Sequence, residues 1–338
     1  EAGVSAGLKS SNIRVVDPGE APRWSYHPRI QYNLVLGLLL GLVCGVGLAY
    51  LFDQMDNTVN TPDDVERSLS LPSLGVVPAF APRGRGGKMS LLRKKGDEQS
   101  QRHVLWHEED TRSRMWEAYR GLSMSILLSH SDHAPQVVLV TSAFPKEGKS
   151  TTAINTAVVL AHTGARTLLV DLDLRKPALG RTFGLNKDQG MSKFLSGNSD
   201  FSSELVQTPV PNLVIAPSGP IPPSPAVLLG SERMEKALVL MRKFFKYIII
   251  DTPPVLSVTD PLMLTRHSDG LILVIKGGVT PREAVRKASQ QINRFGGKIL
   301  GAVINDINLR KAGYGSYYGY YNYYQDYYSE EETVDRSL

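Results

Sequence analysis

The sequence predicts an α/β fold: a doubly wound parallel sheet with helices on both faces, preceded by a transmembrane helix and followed by a disordered, tyrosine-rich tail. Three observations predict the sheet. Short apolar runs at 136–140, 167–170, 212–216, 247–250, 270–275 and 299–304 read as strands, and a strand that does not alternate in polarity is one buried on both faces. Stretches with helical apolar spacing, such as 151–162 and 281–295, lie between several of them, as the crossovers between parallel strands require. Finally, polar chemistry gathers just after the runs: a glycine–lysine turn after the first and aspartates at the ends of two others. Open α/β sheets bind their ligands at that edge.

Composition narrows the class. The chain has 338 residues, of which 42% are hydrophobic, enough for a core and too many for a disordered chain. One cysteine excludes a disulfide framework and a cysteine-built zinc site. A net charge of +5 is a weak argument for nucleic acid, and none is expected as a partner. The first residue is Glu1, so the chain is expected to be a fragment of a longer protein.

Along the chain, residues 34–52 form 19 positions without a charge, near the ~20 that cross a bilayer core. Gly37, Gly41 and Gly45 share one helix face there; this is either a helix-packing stripe or the ordinary glycine content of membrane helices. Residues 53–110 read as a juxtamembrane segment and a basic linker, with Thr61-Pro62-Asp63-Asp64 as a helix start. Residues 111–312 hold the strand–helix alternation. Residues 313–338 carry nine tyrosines, Tyr314, Tyr317, Tyr318, Tyr320, Tyr321, Tyr323, Tyr324, Tyr327 and Tyr328, with few aliphatics among them. Such a segment cannot build a core.

The chemistry concentrates at three places. Ala143-Phe-Pro-Lys-Glu-Gly148-Lys149-Ser150-Thr151 follows the first strand and opens a helix. It is a phosphate loop in which alanine replaces the first glycine. Gly148 lets the backbone wrap phosphates, Lys149 reaches the β- and γ-phosphates, and Ser150 holds Mg2+. Asp171 and Asp173 follow the second strand, and Asp251 ends a later one. The strand-end rule brings all three carboxylates to the edge that carries Lys149, where a triphosphate and Mg2+ need them.

These segments resemble a known family. SAFPKEGKST, LLVDLDLRKP and IIIDTPP are similar to the Walker A, A′ and B motifs of bacterial tyrosine kinases, and the tail resembles that family's phosphorylation cluster. RVVDPGEAP, the apolar span and TPDDVERSLSLPSLGVVP resemble the last part of a polysaccharide co-polymerase, the chain-length regulator fused to such kinases, which makes residues 1–33 an extracytoplasmic remnant. The resemblance implies a P-loop fold, ATP and Mg2+ as cofactors, and autophosphorylation of the tail in trans to regulate exopolysaccharide or capsule export. It implies catalytic roles for Lys149, Asp171 and Asp173, with Asp171 as the base for the tyrosine hydroxyl. Ser150 and Asp251 would hold the metal, with Asp173 in its outer sphere. Thr151 would contact the α-phosphate and Asn305 the adenine.

The resemblance also implies partners and a location. These are a homo-oligomeric ring, a cognate tyrosine phosphatase, the export machinery, and the bacterial inner membrane with kinase domain and tail on the cytoplasmic side. Glu117 and Arg120 match two members of the family's oligomerisation motif, with Ser123 in place of its third, an arginine. Two other functions remain open on the residues alone. A partition-type switch ATPase shares the acidic strand ends but carries a second lysine where Phe144 stands. A non-catalytic membrane assembly factor would use the nucleotide only to govern oligomerisation.

Overall fold

The computed structural model describes residues 29–55, 57–79, 114–130 and 133–307. The chain divides into two compact units, Glu1–Asp56 and Asn57–Leu338. In the first, α1 (Ile30–Met55) is one continuous helix that contains the expected span. Its Ile30–Leu51 stretch is long and apolar enough to cross a membrane, and none of it is buried. At 1.5 Å per residue those 22 residues reach about 33 Å, against a bilayer core of about 30 Å.

The second unit is built on an eight-stranded sheet. Its strands are β1 (Ser73–Pro78), β2 (Val137–Ser142), β3 (Thr167–Asp171), β4 (Val206–Gln207), β5 (Leu213–Ala216), β6 (Tyr247–Asp251), β7 (Gly270–Lys276) and β8 (Ile299–Ile307). The spatial order is β1-β8-β7-β2-β6-β3-β5-β4. Every pair is parallel except β4 with β5. The helices are α2 (Arg114–Leu127), α3 (Lys149–His162), α4 (Leu179–Thr182), α5 (Met191–Leu195), α6 (Pro225–Leu229), α7 (Glu232–Phe244), α8 (Asp260–Leu264) and α9 (Arg282–Arg294).

Strand pleating divides the apolar runs between two cores. Leu139, Val170, Ile248, Ile250 and Leu273 point to a face covered by Met241 of α7 and Val285 and Ile292 of α9. Val138, Val140, Ile249 and Ile272 point to the other, covered by Tyr119 and Leu122 of α2 and Val158 of α3. A wholly apolar run is what a strand with helices on both sides needs, so the six expected strands all form.

Two strands were not expected. The sequence reading puts 57–79 in the juxtamembrane segment 53–110, outside the domain that begins at 111. The structure places it inside that unit: β1 pairs with β8 from Ser73↔Ala302 to Pro78↔Ile307. A short run with glycine inside and proline at its end reads as a loop, but both are tolerated at a sheet edge. The two-residue β4 is too short to carry a periodic signal. The expected helix start at Thr61 is present. Its hydroxyl accepts the Asp64 N–H, and the Asp64 carboxylate accepts the N–H groups of Asn60 and Thr61. The turn that follows, Asp64–Ser68, is a wide π-helical one.

The sheet order positions the site. From β2 the chain crosses to β3, leaving a slot that β6 later fills. Asp251, the last residue of β6, therefore lies in register with Val140 of β2 on one side and Asp171 of β3 on the other.

Candidate active site

The loop between β2 and α3 is shaped by two left-handed residues, Lys146 (φ 67°) and Gly148 (φ 94°). Ala143 does not have a positive φ, so its Cβ is tolerated where the usual pattern has glycine. Gly148 has no such latitude: a Cβ there would sit 1.9 Å from Asn305 Nδ2. A loop bent by left-handed residues just before a helix N-terminus suits an anion. Cross-strand bonds hold it against the neighbouring motif: Thr141 Oγ1 donates to the Pro253 carbonyl (2.7 Å), and the Val255 N–H to that of Ser142 (2.9 Å).

Lys149 extends from the first turn of α3 into the acidic strand ends. Its Nζ lies 2.8 Å from Asp173 Oδ2, 3.4 Å from Asp251 Oδ1 and 3.2 Å from Ser150 Oγ. The Ser150 hydroxyl donates to Asp251 Oδ2 at 2.5 Å. Asp171, Asp173 and Asp251 are all buried. Burial alone would push the Lys149 ammonium down, but Asp251 and Asp173 outweigh it and hold its pKa above the ordinary value. Asp251 is pushed up by burial, opposed by Lys149 and the Ser150 hydrogen bond. Asp171 is raised to about 7, by burial first and by the Asp251 charge second.

Sequence reasoning thus brings Gly148, Lys149, Ser150, Asp171, Asp173 and Asp251 to one place, with Thr151 on the same first helical turn. Two of the expected site residues are engaged by the protein itself. Asp171, expected as a base, has no exposed surface. Its Oδ2 accepts the N–H groups of Ala178 and Leu179, both at 3.0 Å, and its Oδ1 that of Asp173 at 3.2 Å. It therefore organises the turn into α4 and sets Asp173. Asn305, expected at the adenine, donates from Nδ2 to the Glu147 carbonyl at 3.0 Å, so it braces the phosphate loop. The nine tail tyrosines lie outside the described residues. Glu117 and Arg120 form an exposed pair 3.4 Å apart on α2.

The sequence reading missed Glu147, whose buried carboxylate accepts from Phe144 N–H and Thr280 Oγ1, because Thr280, its side-chain partner, lies 133 residues away. It also missed Arg175, which grips buried Asp260 with two bonds of 2.8 and 3.0 Å. The sequence signal for Arg175 is its place two residues after Asp173.

Comparison with known proteins agrees with this geometry. Residues 146–300 match the AAA domain family. Tyrosine-protein kinase YwqD of Bacillus subtilis is 38% identical over 227 residues, covering 67% of this chain and 95% of that protein. The chain belongs to the bacterial tyrosine-protein kinases. A second relative, tyrosine-protein kinase ptk of Acinetobacter johnsonii, is 28% identical over 303 residues, 90% of this chain and 40% of its own length. Those 303 residues exceed the 282 from Asn57 to Leu338, so the likeness extends beyond the sheet unit. The crystal structure of the chimerical protein CapA2B2 superposes with a TM-score of 0.64 at 32% identity, over 73% of this chain and 99% of that one. In this chain the lysine–carboxylate cluster lies at the carboxyl edge of β2, β3 and β6.

Proposed function

We propose that the chain is an ATP-dependent tyrosine autokinase that transfers the γ-phosphate of ATP to its own C-terminal tyrosine cluster, between neighbouring subunits. The observation that carries this is the cluster itself: one buried ammonium set among three buried carboxylates, on the helical turn that directly follows the phosphate loop. Three acids facing one lysine leave the site short of positive charge, and the raised Asp171 and Asp251 report that shortage. These residues fit a divalent cation with oxygen ligands. Ser150 and Asp251 would hold Mg2+, with Asp173 beyond them. When bound, the ion would neutralise charge on the β- and γ-phosphates.

The protein's own groups do the rest. Loop N–H groups and the α3 N-terminus seat the phosphates. Lys149 lies next to them, and its carboxylate contacts are those a phosphate would compete for. The acceptor phenol, of ordinary pKa about 10, needs a proton acceptor. Asp171, at about 7, is a stronger base than an ordinary carboxylate. The phenol proton passes to the carboxylate cluster, the phenol oxygen bonds to the γ-phosphorus, and the β–γ bridging oxygen leaves with ADP.

The wider role follows from the rest of the chain. Helix α1 has the length and apolarity of a membrane anchor, which supports a place in the bacterial inner membrane with the kinase unit in the ATP-bearing cytoplasm. The motif before and after that span supports coupling to polysaccharide polymerisation and export, in a ring reset by a tyrosine phosphatase. To test the function, wild-type chain is mixed with tagged Lys149→Met chain and Mg-ATP. Phosphotyrosine on the tagged chain is the expected result. Label confined to the wild-type chain refutes transfer between subunits, and ATP hydrolysis without phosphotyrosine refutes the kinase in favour of a switch ATPase.

A further inference from the structure

An acid inside a phosphate loop is electrostatically out of place, since it opposes the anion that the loop receives. Glu147 occupies that position and is buried. Its side chain is turned behind the loop. One carboxylate oxygen accepts the Phe144 N–H at 2.8 Å, and the other accepts the hydroxyl of Thr280. Thr280 lies after β7, 133 residues away in sequence. The same hydroxyl accepts the Lys276 N–H at 3.1 Å, and the Thr280 carbonyl accepts the Val59 N–H at 3.0 Å. Its own N–H donates to the Lys276 carbonyl at 3.0 Å, so Thr280 is fixed by three bonds before it meets the loop. Asn305 closes the clamp by binding the Glu147 carbonyl and packing on Gly148.

We infer that Glu147 and Thr280 form a positioning pair that locks the phosphate loop in its anion-binding conformation. Neither side chain is assigned a contact with the nucleotide. Their bond withdraws the Glu147 carboxylate from the cradle and pins both ends of the segment 144–147, whose Lys146 carries a left-handed backbone (φ 67°). Without the Thr280 hydroxyl the carboxylate has lost its fixed partner, and the loop N–H groups are no longer held in register for phosphate. The pair deepens the nucleotide-site assignment and rests on it.

The experiment is equilibrium binding of a fluorescent ATP analogue to the full chain, compared with its melting temperature. Thr280→Val removes the hydroxyl at nearly constant shape, and Thr280→Ser restores it. The expected result is an affinity about tenfold weaker in Thr280→Val, with near wild-type affinity in Thr280→Ser and an unchanged melting temperature in both, since small displacements of positioning groups cost such factors. Wild-type affinity in Thr280→Val overturns the proposal. So does a loss that serine does not rescue, or one matched by a fall in melting temperature. If Thr280→Val does not fold, Glu147→Gln carries the same test, because glutamine keeps only one of the two acceptor oxygens. Failure of the wild type itself to bind the analogue overturns the nucleotide site, a separate outcome from equal binding by wild type and variant.

Discussion

Asp171 shows how the fold shapes the ionisation of one residue. Its carboxyl is raised from 3.8 to about 7, chiefly by burial and then by Asp251. A carboxyl whose pKa is raised on folding stabilises the native state fully below its unfolded value. That contribution disappears as the pH rises through the folded value. The nucleotide-free protein should therefore lose stability between about 3.8 and about 7 through this group, and Asp171→Asn should remove that part of the slope. Denaturant unfolding across this pH range reads it; an unchanged slope in Asp171→Asn contradicts the assignment. The residues that could be found by reading the chain were those in contiguous motifs: Lys149 beside Ser150, and Asp171 beside Asp173. Glu147 with Thr280 and Arg175 with Asp260 could not, because their partners lie 133 and 85 positions away. Nothing in a local window records such a distance.

At the scale of elements, α2 separates packing from surface function. Trp116, Tyr119, Leu122 and Ile126 fill the core on one side, while Glu117 and Arg120 stand exposed on the other. An exposed pair of this kind is worth at most about 1 kcal/mol, so its removal should barely move stability. Truncating a buried residue such as Ile126 to alanine should cost about 2–5 kcal/mol. If the exposed face assembles the ring, Glu117→Ala with Arg120→Ala should lower the oligomer mass by light scattering while thermal unfolding stays near wild type. An unchanged mass places the subunit contact elsewhere. The six central strands were legible because burial on two faces leaves an uninterrupted apolar run. β1 was not, because an edge strand needs neither that run nor a period. Its place beside β8 depends on a partner more than 220 residues later.

For the whole molecule, the parallel sheet, the apolar helix and the acidic strand ends were all visible in the sequence, whereas the strand order was not. That order is what sets Asp251 between β2 and β3 and so makes three separate motifs into one site. The most direct measurement is phosphate mapping. Purified, dephosphorylated full chain is incubated with Mg-ATP beside a Lys149→Met control, and phosphotyrosine is located by mass spectrometry. The predicted result is phosphate on tyrosines within 314–328 of the wild type and none in the control. ATP turnover that leaves those tyrosines unmodified, or equal modification in the control, would contradict an autokinase built on the lysine–carboxylate cluster.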